Sequence, residues 1–474
     1  MKRKIVLLSF IIVIVAVFSF GGCSKNNVRT VVFWHSYQGY QEQMFERIVK
    51  VYNETVGAQE GVRVIPEYAG KTDEINNKFN DAIDAQENSG MLPNIAVVSK
   101  ETAYNAVKYD LITFAELYMT DEEINGYFSG FMEEGRLSMA ANTYLFPLSK
   151  QIQQTIINDN MWKEFNQEYP QYSEQSFMYW ESLIDMAAKY YDWTDAMTPD
   201  VHNDGRAFFA IESLETFIYT YTNQRVPSLI QSGYDEITIN ANKDTFSEIW
   251  NLYHKGVVQG YISTVSDITT ALKKGDILCY VGTPGNTNYS SVYIDLHGNM
   301  APLSIKAVQY PSVFANRIVV PHSGTGVVVV DKGEKSNKDA YNFIKWYTSN
   351  PNFIYICFAG YEVPSCVELA SSENTLNEIA KLMDKNKQQY NMLVCEYNQV
   401  LTYTTYSPVA FNGSERLGRN ITAYLQQASK NDKEKVKSHV KEGYTMDSAV
   451  SYVCSEMAFN AWFEGILNIT EGIQ

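Results

Sequence analysis

Basic charge is scarce in this chain. Its 38 Lys and Arg residues face 54 Asp and Glu, a formal net charge of -16, and no block of Lys and Arg interrupts the excess. Unspecific nucleic-acid binding draws on the release of counterions from neutralised phosphates, so an acidic surface excludes it, and anionic lipid faces with it. Cysteine is sparse too. Apart from Cys23 there are Cys279, Cys357, Cys366, Cys395 and Cys454, an odd number that cannot all pair. None has the two-residue spacing of a zinc or redox site, so neither a metal site nor a disulfide framework is expected. Cys279 and Cys357, among apolar neighbours, read as small core residues.

The usual catalytic signatures are missing. There is no HExxH pair, no GxxxxGK loop and no GxSxG elbow. His35, His202, His254, His297, His322 and His439 stand singly. The acid pairs Asp73-Glu74, Glu122-Glu123 and Glu133-Glu134 read as charges of first helical turns or helix surfaces. Ser323-Gly324-Thr325-Gly326 looks like half a dinucleotide loop, but it precedes a valine strand where that fingerprint follows one. No cofactor is expected, and a binding protein is favoured over an enzyme. The alternatives are a secreted glycan-active enzyme, whose two carboxylates can lie far apart in sequence, and a surface adhesin.

Long hydrophobic runs are confined to the start. Lys2, Arg3 and Lys4 precede an apolar run from Ile5 to Phe20, then Gly21-Gly22-Cys23. A membrane-spanning helix needs about 20 apolar residues, and this run is shorter and ends at small residues, as an export signal does. Two small residues before a cysteine resemble a bacterial lipobox, with Phe20 where leucine is usual, so cleavage before Cys23 and lipidation of its thiol are expected. An uncleaved N-terminal anchor is the alternative. Either way the body lies outside the cytoplasm, tethered to a membrane.

What remains is rich in tyrosine, with 34 copies, and aromatics make up 14 % of the chain. Aromatic faces stack on sugar rings, although half-buried surface tyrosines also account for such numbers. A body of this length calls for two lobes rather than one core. Val28–Trp34, Val62–Tyr68 and Pro93–Val98 read as strands. Helical spacing follows each, over Gln41–Glu54, Asp73–Gln86 and Glu101–Tyr109. This alternation predicts an α/β fold with parallel sheets flanked by helices and ligands outside the carboxyl ends of the strands. Further helices are expected over Phe177–Tyr190, Leu214–Thr222, Thr245–Tyr253, Ala340–Ser349, Ile421–Ala428 and Ala449–Ile466, and strands over Ile277–Val281 and Val327–Val330.

Val31-Val32-Phe33-Trp34-His35-Ser36, Leu92-Pro93-Asn94-Ile95, Phe146-Pro147-Leu148 and Gly324-Thr325-Gly326 follow one another as in a known family. In that order and spacing the chain resembles the extracellular solute-binding proteins of ABC transporters for sugars, oligosaccharides and glycerol 3-phosphate. The resemblance implies a two-lobed periplasmic-binding-protein-like fold of type II with the ligand cleft between the lobes. It places the export signal at 1–23, the first lobe at 24–149 and 302–350, and the second at 150–301 and 351–474. Hinge closure would bury the solute and present it to the permease subunits, with the protein a monomer held by its lipid. Gly360-Tyr361-Glu362-Val363-Pro364 and Arg416-Leu417-Gly418 are most similar to the family's glycerol 3-phosphate binders, where the matching tyrosine and arginine touch ligand, as does the glycine that matches Gly324. The implied contacts are Trp34, His35, Glu101 and Gly324 from the first lobe and Gln151, Thr283, Tyr361 and Arg416 from the second, with Thr72 after the second strand. Arg416 would grip a phosphate. Thr72 and Gln151 stand where those binders have tyrosine and serine, which leaves another polyol phosphate or an ordinary sugar open.

Overall fold

A computed structural model describes residues 28–85, 91–137, 142–225, 227–232, 237–285, 292–296 and 299–473. The expected export segment, with Cys23, and His297 lie outside the described residues. The strands that matter here are β1 (Arg29–His35), β2 (Val62–Tyr68), β3 (Ile95–Val98), β4 (Ile112–Thr113), β5 (Ser149–Ile152), β6 (Gln154–Asn158), β7 (Phe209–Ile211), β8 (Ile262–Ser263), β9 (Cys279–Gly282), β10 (Ile305–Gln309), β11 (Val319–Ser323), β12 (Gly326–Val330), β13 (Val363–Pro364) and β14 (Thr404–Tyr406).

The first sheet runs β2-β1-β3-β12-β4. β1 is parallel to β2 and β3, and β12 is antiparallel to β3 and β4. All four residues of β3 and all five of β12 are buried, as strands covered by helices on both faces must be. On one face Phe33 meets the rings of Phe45 and Phe343 edge-on at 5.0 and 6.1 Å. These rings come from the helices Tyr40–Glu54 and Glu334–Ser349. On the other face Ile75, Phe79, Ala103 and Ala106 form a separate core.

The second sheet runs β8-β7-β9-β6-β10, with β8, β7 and β9 parallel and β6 and β10 antiparallel. Between the two lies a third sheet, β13-β5-β11-β14, assembled from four distant segments. The C-terminal helices Ser414–Lys441, Met446–Val453 and Glu456–Glu471 pack onto the helices of the second lobe.

The expected return to the first lobe at 302 meets a different order of strands. Ile305–Gln309 pairs with β6 in the second sheet, and the chain rejoins the first sheet only at Gly326. Similarly, Phe353–Gly360 packs on the helix Tyr40–Glu54 of the first lobe, so the second lobe does not resume at 351. Short apolar strands carry no mark of which sheet they join. The helix expected over Ala449–Ile466 is two helices parted at Cys454, because the Ser455 side chain caps the second by accepting from Ala458 N at 3.3 Å. The helix expected to start at Ala340 starts at Glu334, just after Gly333 with φ of 90°. Among the described residues no helix is long and apolar enough to cross a membrane.

Candidate functional site

Helices follow strands at the same end of both sheets. Ser99 follows β3 directly and caps the helix Lys100–Lys108, its hydroxyl accepting from Thr102 N at 3.3 Å. Ser213, just after β7, caps Leu214–Gln224 in the same way at 3.1 Å. A cavity of about 180 Å³ opens between these two helix starts. Its walls are Ser99, Lys100, Glu101 and Glu134 on one side and Glu215, Thr216, Tyr219 and Thr220 on the other, with His322–Thr325 and Tyr406–Pro408 between. Larger cavities exist. One of 600 Å³ adjoins it at Tyr406–Pro408, and one of 440 Å³ lies between β10 and the helix Lys387–Thr402. The small cavity is the one that draws on the carboxyl ends of strands from both sheets, the position at which open α/β sheets bind ligands.

Its floor is charged and buried. Glu134 forms an ion pair with Lys150, both almost fully enclosed. Burial pushes the Glu134 carboxyl up, but Lys150, His322 and Lys100 together hold it well below the usual carboxylate range. Burial lowers His322, partly offset by Glu134. Lys150 Nζ also donates to the carbonyls of Gly324 and Thr325, at 3.1 Å each. Gly324 has φ of 121°, a conformation other residues avoid, and the turn it makes aims both oxygens at the ammonium. Lys100 Nζ donates to Pro408 O at 2.8 Å and Ser407 Oγ at 3.3 Å. Opposite, burial raises the Glu215 carboxyl, and the Tyr219 hydroxyl is buried without a hydrogen-bond partner. Buried polar groups are nearly always paired, and this one stands unpaired on a residue that lines the cavity. Among the described residues no group of His, Cys, Asp and Glu is placed to hold a metal ion.

Of the residues expected to touch solute, Glu101 and Gly324 line this cavity. Trp34 and Thr72 stand at the carboxyl ends of β1 and β2, where Trp34 Nε1 donates to Glu67 at 3.1 Å and Thr72 Oγ1 lies 3.5 Å from Ser36 Oγ. Thr283, just past β9, donates its backbone N–H and its hydroxyl to Glu212, at 2.6 and 2.9 Å. Gln151 lies in β5 of the third sheet and Tyr361 just before β13: Gln151 Nε2 donates to Gly360 O at 2.8 Å, and Tyr361 is a half-buried residue with φ of 51°. Two expectations are corrected. His35 is 2 % exposed, packed against Phe45 with ring centroids 4.9 Å apart, because its side chain falls on the inward face of β1. Arg416 is exposed and donates to Gly472 O at 3.2 Å, since its turn of helix points toward the C-terminus and not into the cavity.

Sequence reasoning missed Glu134, Lys150, Glu215, Tyr219, His322 and Ser407. Glu134 had a legible signal, standing three residues after Phe131 and sharing its buried helix face.

The profile of bacterial extracellular solute-binding proteins matches residues 47–380. The chain belongs to this family. Solute-binding proteins are the substrate-binding components of transporters and not enzymes, and this one acts outside the cytoplasm with an ABC permease. Solved structures share its two-lobed fold. The sugar-binding protein MalE from Xanthomonas citri is 14 % identical with a TM-score of 0.61, covering 92 % of this chain and 98 % of that one. UgpB from Mycobacterium tuberculosis, in complex with glycerophosphocholine, is 14 % identical with a TM-score of 0.60, over 92 % and 99 %. The cyclic alpha-maltosyl-1,6-maltose binding protein from Arthrobacter globiformis is 12 % identical with a TM-score of 0.59, over 92 % and 99 %. No curated protein sequence matches.

Proposed function

We propose that this solute-binding protein captures a neutral carbohydrate in the cavity between its lobes and delivers it to its permease by hinge closure. The observation that carries the reading is the cavity's charge. Glu101 and Glu215 line it beside a single ammonium, Lys100, and the ion-paired Glu134, while Arg416, the expected phosphate grip, is elsewhere. Carboxylates accept hydrogen bonds from sugar hydroxyls and repel a phosphate. The rings of Tyr219 and Tyr406 offer apolar faces. Because walls from both lobes contact the solute, binding favours the closed state, as differential contact must. Lys100 supports a second reading, a zwitterionic glycerophosphodiester whose phosphate meets this ammonium and whose cationic end meets Glu215. The bound ligand of UgpB is of that type.

We place the protein as a monomer on the outer face of a membrane, held by a lipid on Cys23 after cleavage just before that residue. Replacing Cys23 with serine should release it to the soluble fraction. A thermal-shift screen of the mature chain tests the solute class. A micromolar ligand at millimolar concentration adds roughly 4 kcal/mol. A shift with mono- or oligosaccharides supports the carbohydrate reading. A shift confined to glycerol 3-phosphate or glycerophosphocholine replaces it with the second.

A further inference from the structure

The third sheet joins four segments far apart in sequence, and one side chain from outside it reaches three of them. Glu134 ends the helix Ser129–Glu134 of the first lobe and is 3 % exposed. Its carboxylate pairs with Lys150 of β5. It lies 3.4 Å from His322 Nε2 of β11. It accepts a 2.9 Å hydrogen bond from Ser407 Oγ, the residue after β14. The fourth segment is one step away, because Lys150 is in register with Val363 of β13. There Ser149 Oγ donates to Glu362 at 2.5 Å, and burial raises the Glu362 carboxyl, offset in part by Ser149 and then by Lys150. Lys100, also from the first lobe, holds the Ser407–Pro408 segment by two further hydrogen bonds.

We infer that Glu134 is a positioning residue for solute capture, fixing the spacing of the hinge segments from the floor of the cavity and so setting the resting angle between the lobes. Rotation of one lobe against the other must pass through these segments. A buried carboxylate and ammonium cannot separate without leaving an unpaired charge in the interior, so the sheet moves as a block around Glu134 and bending is confined to its flanks. The same carboxylate lines the cavity, and a solute hydroxyl that bonds there acts on the hinge directly. This last link rests on the carbohydrate reading, whereas the hinge role does not.

The test compares wild type, Glu134→Asp, Glu134→Gln and the double variant Glu134→Gln/Lys150→Met, all as the mature chain without solute. Hydrogen exchange reports on residues 149–152, 319–323 and 404–406, and small-angle scattering reports the radius of gyration. In Glu134→Gln and in the double variant the expected result is at least tenfold faster exchange in those three segments, unchanged exchange in β1–β3, and a larger radius of gyration. Glu134→Asp keeps wild-type values. The double variant carries the test if Glu134→Gln alone does not fold, since it leaves no unpaired ammonium. Wild-type exchange and radius in the double variant, or exchange raised equally in β1–β3, overturns the inference. No solute enters the measurement, so a failed carbohydrate screen leaves the result intact.

Discussion

Gly418, in the helix Ser414–Lys441, lies against the carboxyl group of Glu215 so closely that a β-carbon at 418 would overlap Glu215 Oε1. Glu215 lines the cavity, so the smallest side chain at 418 becomes a control on the binding surface. In Gly418→Ala the flexible end of Glu215 moves aside, and the helix gains up to about 1 kcal/mol of propensity. The expected outcome is a melting temperature close to wild type and an affinity for the cognate solute about tenfold weaker, or 1.4 kcal/mol. Calorimetric titration beside a melting curve separates the two, and unaltered affinity refutes the placement of Glu215 at the site.

Tyr219→Phe should move stability and binding in opposite directions. Its hydroxyl is buried with no partner in the solute-free protein, and an unmet buried hydroxyl costs about 1–3 kcal/mol. Removing it is expected to raise solute-free stability by part of that amount and to weaken solute binding by about 1 kcal/mol. A variant destabilised without solute contradicts the unpaired hydroxyl.

Arg416→Ala is expected to leave both quantities almost unchanged. The guanidinium is exposed, and its 3.2 Å bond to Gly472 O is a surface contact, so the stability change should stay within about 0.5 kcal/mol. A large loss of affinity for any phosphorylated solute would return the arginine to the binding site.

Acid should weaken the fold through its buried histidines. Burial lowers His35 from 6.5 to about 4, and lowers His254 and His322 in the same direction. The unfolded chain takes up the His35 proton near pH 6.5 while the folded protein refuses it until about pH 4. Stability is therefore full above 6.5 and falls as the pH drops toward 4, by about 3 kcal/mol for His35 alone. Denaturant unfolding between pH 7.5 and 4.5 should show a shallower acid decline in His35→Leu than in wild type. Equal slopes would rule His35 out as a source.

The periodic elements were the legible ones. Val62–Tyr68 falls where the sequence places it, and Leu214–Gln224 differs from expectation only at its end, because apolar spacing records which face is buried. The site was less legible, because it depends on contacts between residues hundreds of positions apart. Glu133 and Glu134 look alike in sequence, yet the side chain of the first is 59 % exposed and that of the second 4 %. What distinguishes them is Lys150, brought beside Glu134 by a strand pairing that no local pattern encodes. Arg416 shows the converse: a family resemblance gave it a role, but the turn of helix that carries it faces Gly472. Gly324 was expected only as a solute contact, and it also supplies a turn that directs carbonyls at Lys150.

The place of β12 governs the order in which the molecule can be finished. Gly326–Val330 sits between β3 and β4 in the first sheet, and β12 is the only strand with which β4 pairs among the described residues. During synthesis every strand of the second sheet emerges before it. Until residue 330 is made, Ile112–Thr113 has no neighbour and the β3 ladder is open along one side. Pairing across such separations is slow. The first sheet of this extracytoplasmic protein therefore stays unfinished until Val330 has been made, through most of its translation.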